Sequence, residues 1–555
     1  MNVRPWLLAA ALLGSCGGPR GLDAGPNQSV RACDFAIIEP SGPTPTWSTD
    51  ALVYLDTTDD GAVVVRGPVS HSPTEITLTA RVGSQTDTMT LMVAAAPELP
   101  GGIPGHALDC PPFSYGVASG DPTPDGVVLW TRVDPSGPEA EVPISWEMAT
   151  DPALEDVVAT GRALARPEAD HTVRIEVDGL SPGTTYYYRF VDGNQVYSTL
   201  GRTRTAPEGP TDRFTFATLS CSSLWSGWFN AYARLAERDE LDLIVHLGDY
   251  VYDFVDEEEE VRMPIGEVPN IGDDLDDWRQ RHRDYLADPD LRRARAAHPW
   301  FVIWDNHDSS GSAPAEVARA FREYVPMRQT TEDPAIAYRS LRWGDLAHLL
   351  LTDQNLHRDD DTNDKLGADQ WKWLADELDA SADAHWRVLG FQKLVSELVI
   401  PLGVDFGGVS GFDPPWTDRR RLVDALRAHD DNLVLSGDLH FAMALDLVDP
   451  DDGEAVGVEL LAAGITRGNF DETLCGGLCD PETEAFIQES LRGLLEDANP
   501  RAAYFDLVRH GYGIVRLSPD EARAELWFSR IRQPQTLEEL GAELVSERGS
   551  NRWRR

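Results

Sequence analysis

Apolar residues along this chain gather into short runs that stop abruptly, and four of those stops carry residues with metal-ligand chemistry. In Leu241 to Asp253 (LDLIVHLGDYVYD) the run Leu243-Ile244-Val245 ends at Gly248 and delivers Asp249 and Tyr252. Phe214 to Ser223 (FTFATLSCSS) ends in Cys221, and Trp300 to Ser310 (WFVIWDNHDSS) runs into Asp305, Asn306, His307 and Asp308. Asn432 to Ala442 (NLVLSGDLHFA) passes from Leu433-Val434-Leu435 into Gly437, Asp438 and His440. A short apolar run bounded by a turn signal predicts a buried strand, and open α/β sheets collect ligands beyond the carboxyl ends of their strands. One Gly-Asp pair after a strand is weak evidence. Four strand ends with oxygen, nitrogen and sulfur donors predict a metal centre hung on a sheet. His246, inside its run, reads as a core histidine.

The same patterning organises the rest of the chain. Between these strands, Trp228, Phe229, Tyr232 and Leu235 recur at helical spacing, as do Leu275, Trp278, Tyr285 and Leu286. Helices are predicted over Asp369–Leu378 and, after a Thr417 cap, over Asp418–His429. Leu349-Leu350-Leu351 and Val388-Leu389-Gly390 read as further buried strands, so the region is α/β and layered. Ahead of it, Phe113 to Val133 and Ile144 to Glu147 read as strands. Leu180-Ser181-Pro182-Gly183-Thr184 followed by Tyr186-Tyr187-Tyr188 resembles the fibronectin type III signature, which predicts a β-sandwich over 111–207. Short β-rich runs over 31–96 predict a small all-β module, joined by linkers rich in glycine and proline.

Composition narrows the setting. The chain has 555 residues, with 93 acidic against 48 basic side chains and a formal net charge of −45. That surplus disfavours nonspecific nucleic-acid binding, which rests on phosphate neutralisation. Arg292, Arg293 and Arg295, and Arg419 to Arg421, read as solvated helix faces. Near the N-terminus, Arg4 precedes the apolar run Trp6 to Leu13, which fits a signal peptide and is too short to span a bilayer. Export follows. Leu13-Gly14-Ser15-Cys16 resembles a bacterial lipobox, with Cys16 lipidated at the end of segment 1–16 and 17–30 as a tether. The competing reading is an ordinary cleaved signal. The first reading predicts a lipid-anchored protein of the bacterial outer membrane or periplasm.

The ordered set Cys221, Gly248-Asp249-Tyr250-Val251-Tyr252, Trp304-Asp305-Asn306-His307-Asp308 and Gly437-Asp438-Leu439-His440 resembles the calcineurin-like metallophosphoesterase superfamily. It is most similar to the PhoD-like alkaline phosphatase and phosphodiesterase branch, over Phe113 to Phe528. The resemblance implies a multidomain chain whose catalytic domain, 212–545, is a four-layer αββα fold behind a fibronectin type III-like domain. It implies metal ligands at Cys221, Asp249, Tyr252, Asn306, Asp438 and His440, with Asp249 bridging. Iron(III) and calcium are the implied cofactors, and the donor types also admit zinc or manganese.

The implied reaction is in-line attack of a metal-bound hydroxide on a phosphate mono- or diester. Asn306, His307 and Arg328 would bind phosphate, His307 would protonate the leaving group and Asp308 would orient it. The chain departs from the branch at Asn355, where arginine is common, and at Asp308, where glutamate is common. A phospholipase D-like diesterase and a non-catalytic surface lipoprotein are the alternatives, and a monomer is expected. With Cys16 lipidated and Cys221 on metal, Cys33 and Cys110 are left to pair. Cys475 and Cys479 close a small disulfide loop, or bind zinc, a reading that lacks a second donor pair nearby.

Overall fold

The computed structural model describes residues 28–555 apart from 31–34, 40–44, 50–53, 58–61, 67–73, 95–103, 106, 256–260, 264–273, 310–313, 332, 359–361, 402–416 and 478. Cys16 and Cys33, with the expected signal and lipid anchor, lie outside the described residues.

Three of the apolar runs form adjacent parallel strands, Phe214–Leu219, Leu243–His246 and Pro299–Val302, at the middle of a nine-stranded sheet. Every residue in them is buried, as expected where both faces of a parallel sheet are covered. The fourth run, Asn432–Ser436, lies in a seven-stranded sheet between Trp386–Gly390 and Ala455–Leu461 and is parallel to both.

Side-chain alternation packs the second sheet. Leu349, Leu351, Val388, Leu433 and Leu435 point into a core shared with Phe216, Leu219 and Ile514 of the first sheet. Their neighbours Leu350, Leu389 and Val434 point the other way, onto Trp371 and Leu374 of helix Gly367–Ala380 and Leu422 and Leu426 of helix Arg419–Leu426. This is the period of two that a strand imposes, and each such side chain contributes roughly 1.5–3 kcal/mol on burial. The helices Leu275–Leu286, Pro289–Ala297 and Pro314–Tyr324 add Trp278, Tyr285, Leu291 and Phe321 to the core that holds the first sheet. The first helix after Phe214–Leu219 is shorter than its pattern suggests, spanning Asn230–Leu235. Asp418, not Thr417, stands at the N-cap position of Arg419–Leu426, without a side-chain cap hydrogen bond, its carboxylate accepting instead from the Lys365 and Leu366 amides.

Strands of the region 111–207, expected as a β-sandwich, continue the nine-stranded sheet. Val117–Thr123 pairs in parallel with Pro299–Val302, and Gly126–Arg132 and Thr172–Asp178 follow outward in the same sheet. Gly120 makes the approach possible, since a Cβ there would stand 2.1 Å from the Pro326 carbonyl oxygen. Val142–Ala149, Val157–Ala165, Thr185–Asp192 and Gly201–Arg204 form the facing sheet, over a core of Val127, Leu129, Trp146, Tyr188 and Phe190. Tyr186 Oη accepts a 2.8 Å hydrogen bond from the Ser181 amide, which ties down the turn before Thr185–Asp192. In the N-terminal module, the described strands make a four-stranded and a three-stranded sheet around Trp47, Val63, Leu78 and Leu91.

The arginine clusters are a correction in part: Arg421 is exposed as expected, and Arg293 and Arg420 are half-buried. Arg292, Arg295 and Arg419 are buried, and they donate to Leu286 and Ala107 carbonyls, to Tyr250 Oη and the Tyr324 carbonyl, and to the Val395 carbonyl respectively. They hold loops to the core and form no basic face. Cys475 and Cys479 are disulfide-bonded with Cα atoms 5.5 Å apart. Cys110 is also in a disulfide, and Cys221 is the free cysteine among the described residues.

Asp170 fastens the outer strands to the helices. Its carboxylate accepts from Arg132 at 3.0 Å, from Arg283 and from Tyr324 Oη. Burial pushes its pKa up, but Arg132 and Arg283 outweigh that and hold it below the usual carboxylate range. A depressed folded pKa gives stability that is present above the unfolded value and lost as pH falls through the folded one. Asp170→Ala strands two guanidinium groups and is expected to cost about 3 kcal/mol at neutral pH. Thermal unfolding at pH 7 should show a clear fall in Tm, and the gap from wild type should narrow below about pH 4.

Candidate metal centre

Three of the four strand ends that carry donors turn through a strained backbone. Cys221, Asp249, Asp438 and His440 have φ of 57°, 52°, 68° and 64°. Non-glycine residues in this left-handed region cost of order 1 kcal/mol each and persist where the surroundings enforce them. Gly248, at φ 105°, passes Asp305 so closely that a Cβ would lie 2.5 Å from the Asp305 Cβ.

The loops are stitched to one another. The Cys221 amide donates to the Gly248 carbonyl at 3.2 Å and the Ser222 amide to the Asp249 carbonyl at 2.9 Å. The Arg467 amide donates to the Cys221 carbonyl at 3.2 Å, and the His307 amide to Asp249 Oδ1 at 3.1 Å.

Donor atoms of Cys221, Asp249 and His440 lie within 4.8 Å of one another. His440 Nδ1 is 2.7 Å from the Gly468 carbonyl oxygen, which only accepts, so Nδ1 carries the proton and Nε2 keeps its lone pair. Metal-binding histidines are held this way. Tyr252 Oη donates to Asp249 Oδ2 at 2.9 Å. Burial pushes the Cys221 thiol and the Tyr252 phenol well up, and Asp249 pushes both further. Buried groups that each oppose their neighbours' ionisation are satisfied together by a cation. The donor set therefore fits a metal.

A second group stands beside the first. Lys393 Nζ bonds Asp438 Oδ1, Asn306 Oδ1 at 2.9 Å and Asp305 Oδ1 at 3.1 Å. Asp305 also accepts from Asn355 Nδ2 at 2.8 Å. Asp438 Oδ2 is buried with no hydrogen-bond partner among the described residues. Burial opposes the Lys393 charge, but Asp305 and Asp438 outweigh it and raise its pKa.

His307 is stacked on Tyr252 with ring centroids 4.4 Å apart, and its ring centroid is 5.1 Å from that of Phe254. Its Nδ1 is 2.7 Å from Asp253 Oδ1. The orienting carboxylate is thus Asp253. Asp308 instead accepts from the amides of Tyr250, Val251 and Asp305, so its role is to brace two loops.

Arg328 is a second correction. Its guanidinium pairs with Glu176 at 3.0 Å and Asp178 at 3.4 Å, on the outer strands, and its amide donates to Asp121. The arginine that reaches the centre is Arg467, whose Cζ lies 5.5 Å from the ring centroids of both Tyr252 and Phe254. Its charge acts on His307, His440 and Tyr252. His246 is buried, with a pKa pushed down to about 3 by burial, as a core histidine should be.

Residues 102–207 match the family model described as PhoD-like phosphatase, N-terminal domain, and residues 216–311 and 312–526 match that described as PhoD-like phosphatase. The chain is 31% identical over 466 residues to alkaline phosphatase D of Bacillus subtilis strain 168, spanning 75% of this chain and 77% of that protein. A solved structure of PhoD superposes with a TM-score of 0.69 at 28% identity, covering 83% of this chain and 93% of that one.

Proposed function

Because this chain belongs to the PhoD-like phosphatase family, and is a phosphoric ester hydrolase by that membership, we propose that Cys221, Asp249, Tyr252 and His440 hold the metal at which phosphate esters are cleaved. The observation that carries this reading is the convergence of three donors, from three separate loops, within 4.8 Å. A metal held there supplies a water nucleophile at neutral pH and draws charge from the phosphoryl oxygens. Thiol and phenol ligands suit iron(III), with zinc or manganese the chemical alternatives. Asn306 and Asp438 place hard oxygens, of the kind calcium prefers, around a second positive charge, and the charge that stands among them is Lys393 Nζ.

The chain's own residues do the rest. His307 Nε2, with Nδ1 fixed on Asp253, holds a proton where the leaving oxygen departs. Tyr252 and Phe254 wall the opening and exclude water from one side. Arg467 sets a fixed positive charge beside the phosphoryl oxygens, where electrostatic stabilisation is usually the largest contribution. Arg467→Ala is expected to lower kcat/KM about 100-fold and to weaken competitive inhibition by inorganic phosphate. Arg328→Ala should leave both unchanged. Steady-state kinetics with and without phosphate checks the pair.

Export with a lipid on Cys16, a monomeric state and either a monoester or a diester as substrate complete the proposal. No helix among the described residues is long and apolar enough to cross a membrane. Hydrolysis of p-nitrophenyl phosphate and bis-p-nitrophenyl phosphate, side by side at alkaline pH, tests the function. Turnover of either supports it and ranks the two ester classes, whereas turnover of neither by metal-replete protein contradicts it.

A further inference from the structure

Lys393 occupies a position of unusual chemistry for a lysine. It follows the buried strand Trp386–Gly390, its amide donates to Gln354 Oε1 at 2.7 Å, and its side chain is only 13% exposed. The ammonium has three protons, and three side chains receive it: Asp438, Asn306 and Asp305. Two of these, Asn306 and Asp438, are the oxygen donors that a hard second cation would use. Asp249, at the first cluster, also feels this charge.

We infer that Lys393 is a tethered cation that takes the second cation position, so that the chain binds one metal tightly and supplies its second positive charge itself. The inference rests on the metal centre at Cys221, Asp249 and His440 and adds to it. A fixed ammonium does two things that a dissociable ion cannot. It neutralises Asp305 and Asp438 at every calcium concentration, and it orients the Asn306 carboxamide so that Oδ1 faces inward. Lys393 acts through Asn306 and Asp438 and is a positioning residue. Removing its charge leaves two buried carboxylates without the cation that neutralises them, a strong reason to recruit a divalent ion.

The test uses full-length holoprotein, freed of loosely held ions by dialysis and then offered calcium or a calcium chelator. Wild type should hold one metal per chain by elemental analysis, with Tm and turnover unmoved by either addition. Lys393→Gln should gain a calcium ion per chain, with Tm and turnover that rise with calcium. In the chelator its turnover should fall about 100-fold. Lys393→Arg should stay close to wild type in its indifference to calcium. Wild type that takes up calcium as a second ion, with Tm rising accordingly, overturns the inference while leaving the metal centre standing, and this holds even if Lys393→Gln fails to fold. Fully active wild type with no tightly held metal overturns the centre and the inference together.

Discussion

Asp249→Asn is expected to remove metal and activity together, with kcat lower by about a thousandfold or more. Asp249 stands where three loops meet, its Oδ2 accepting from Tyr252 and its Oδ1 from the His307 amide. Asparagine has the same shape and is among the residues that best tolerate a left-handed backbone, so the φ of 52° adds no confounding strain. What changes is the charge, and one acceptor becomes a donor facing another donor. Burial already pushes the Asp249 pKa up. Removing the carboxylate therefore relieves a buried charge, and the metal-free variant should be no less stable than metal-free wild type. Metal content, kcat and Tm of the two apo-proteins check this. Full metal content with near-normal turnover would be incompatible with Asp249 as a ligand.

His307→Asn should lower kcat by about 10²–10⁴ for an alkyl phosphate and far less for p-nitrophenyl phosphate. The difference follows from what the imidazole does. Burial disfavours its charged form and the Asp253 carboxylate, 2.7 Å from Nδ1, favours it, which leaves Nε2 as the atom from which a proton can be given. An alkoxide leaving group needs that proton, whereas nitrophenolate leaves without it. Rates measured on both esters separate proton donation from phosphate binding: equal losses on the two would assign His307 to binding alone.

The catalytic strands were legible in the sequence because a parallel strand buried on both faces must be a short apolar run, and a ligand loop must follow where it stops. The same rule reaches Lys393, since Val388-Leu389-Gly390 is such a run and Gln392 and Lys393 lie just beyond it. The lysine escaped notice because its charge does not advertise a metal site. Asp253 sits within the stretch Leu241 to Asp253 itself, yet spacing alone could not distinguish it from Asp308 as partner of His307. The two carboxylates diverge because Asp308 is turned inward onto three amides.

Arg328 and Arg467 differ by tertiary placement alone. A long flexible side chain reveals no target until its carboxylate neighbours are known, and for Arg328 those neighbours are Glu176 and Asp178. The shared sheet was hidden for a similar reason. Strand pairing across Gly120 and Trp300 joins residues far apart in sequence. The continuous apolar run Val127-Val128-Leu129-Trp130 is the local sign of a strand covered on both faces, and Gly126–Arg132 is buried throughout.

The most direct measurement is turnover against tightly bound metal in the same preparations of full-length protein, taken from replete to fully stripped and then reconstituted. Hydrolysis of p-nitrophenyl esters should fall in proportion to metal content and return with it in wild type, and should never return in Asp249→Asn. Hydrolysis that persists undiminished in protein stripped of metal would contradict it.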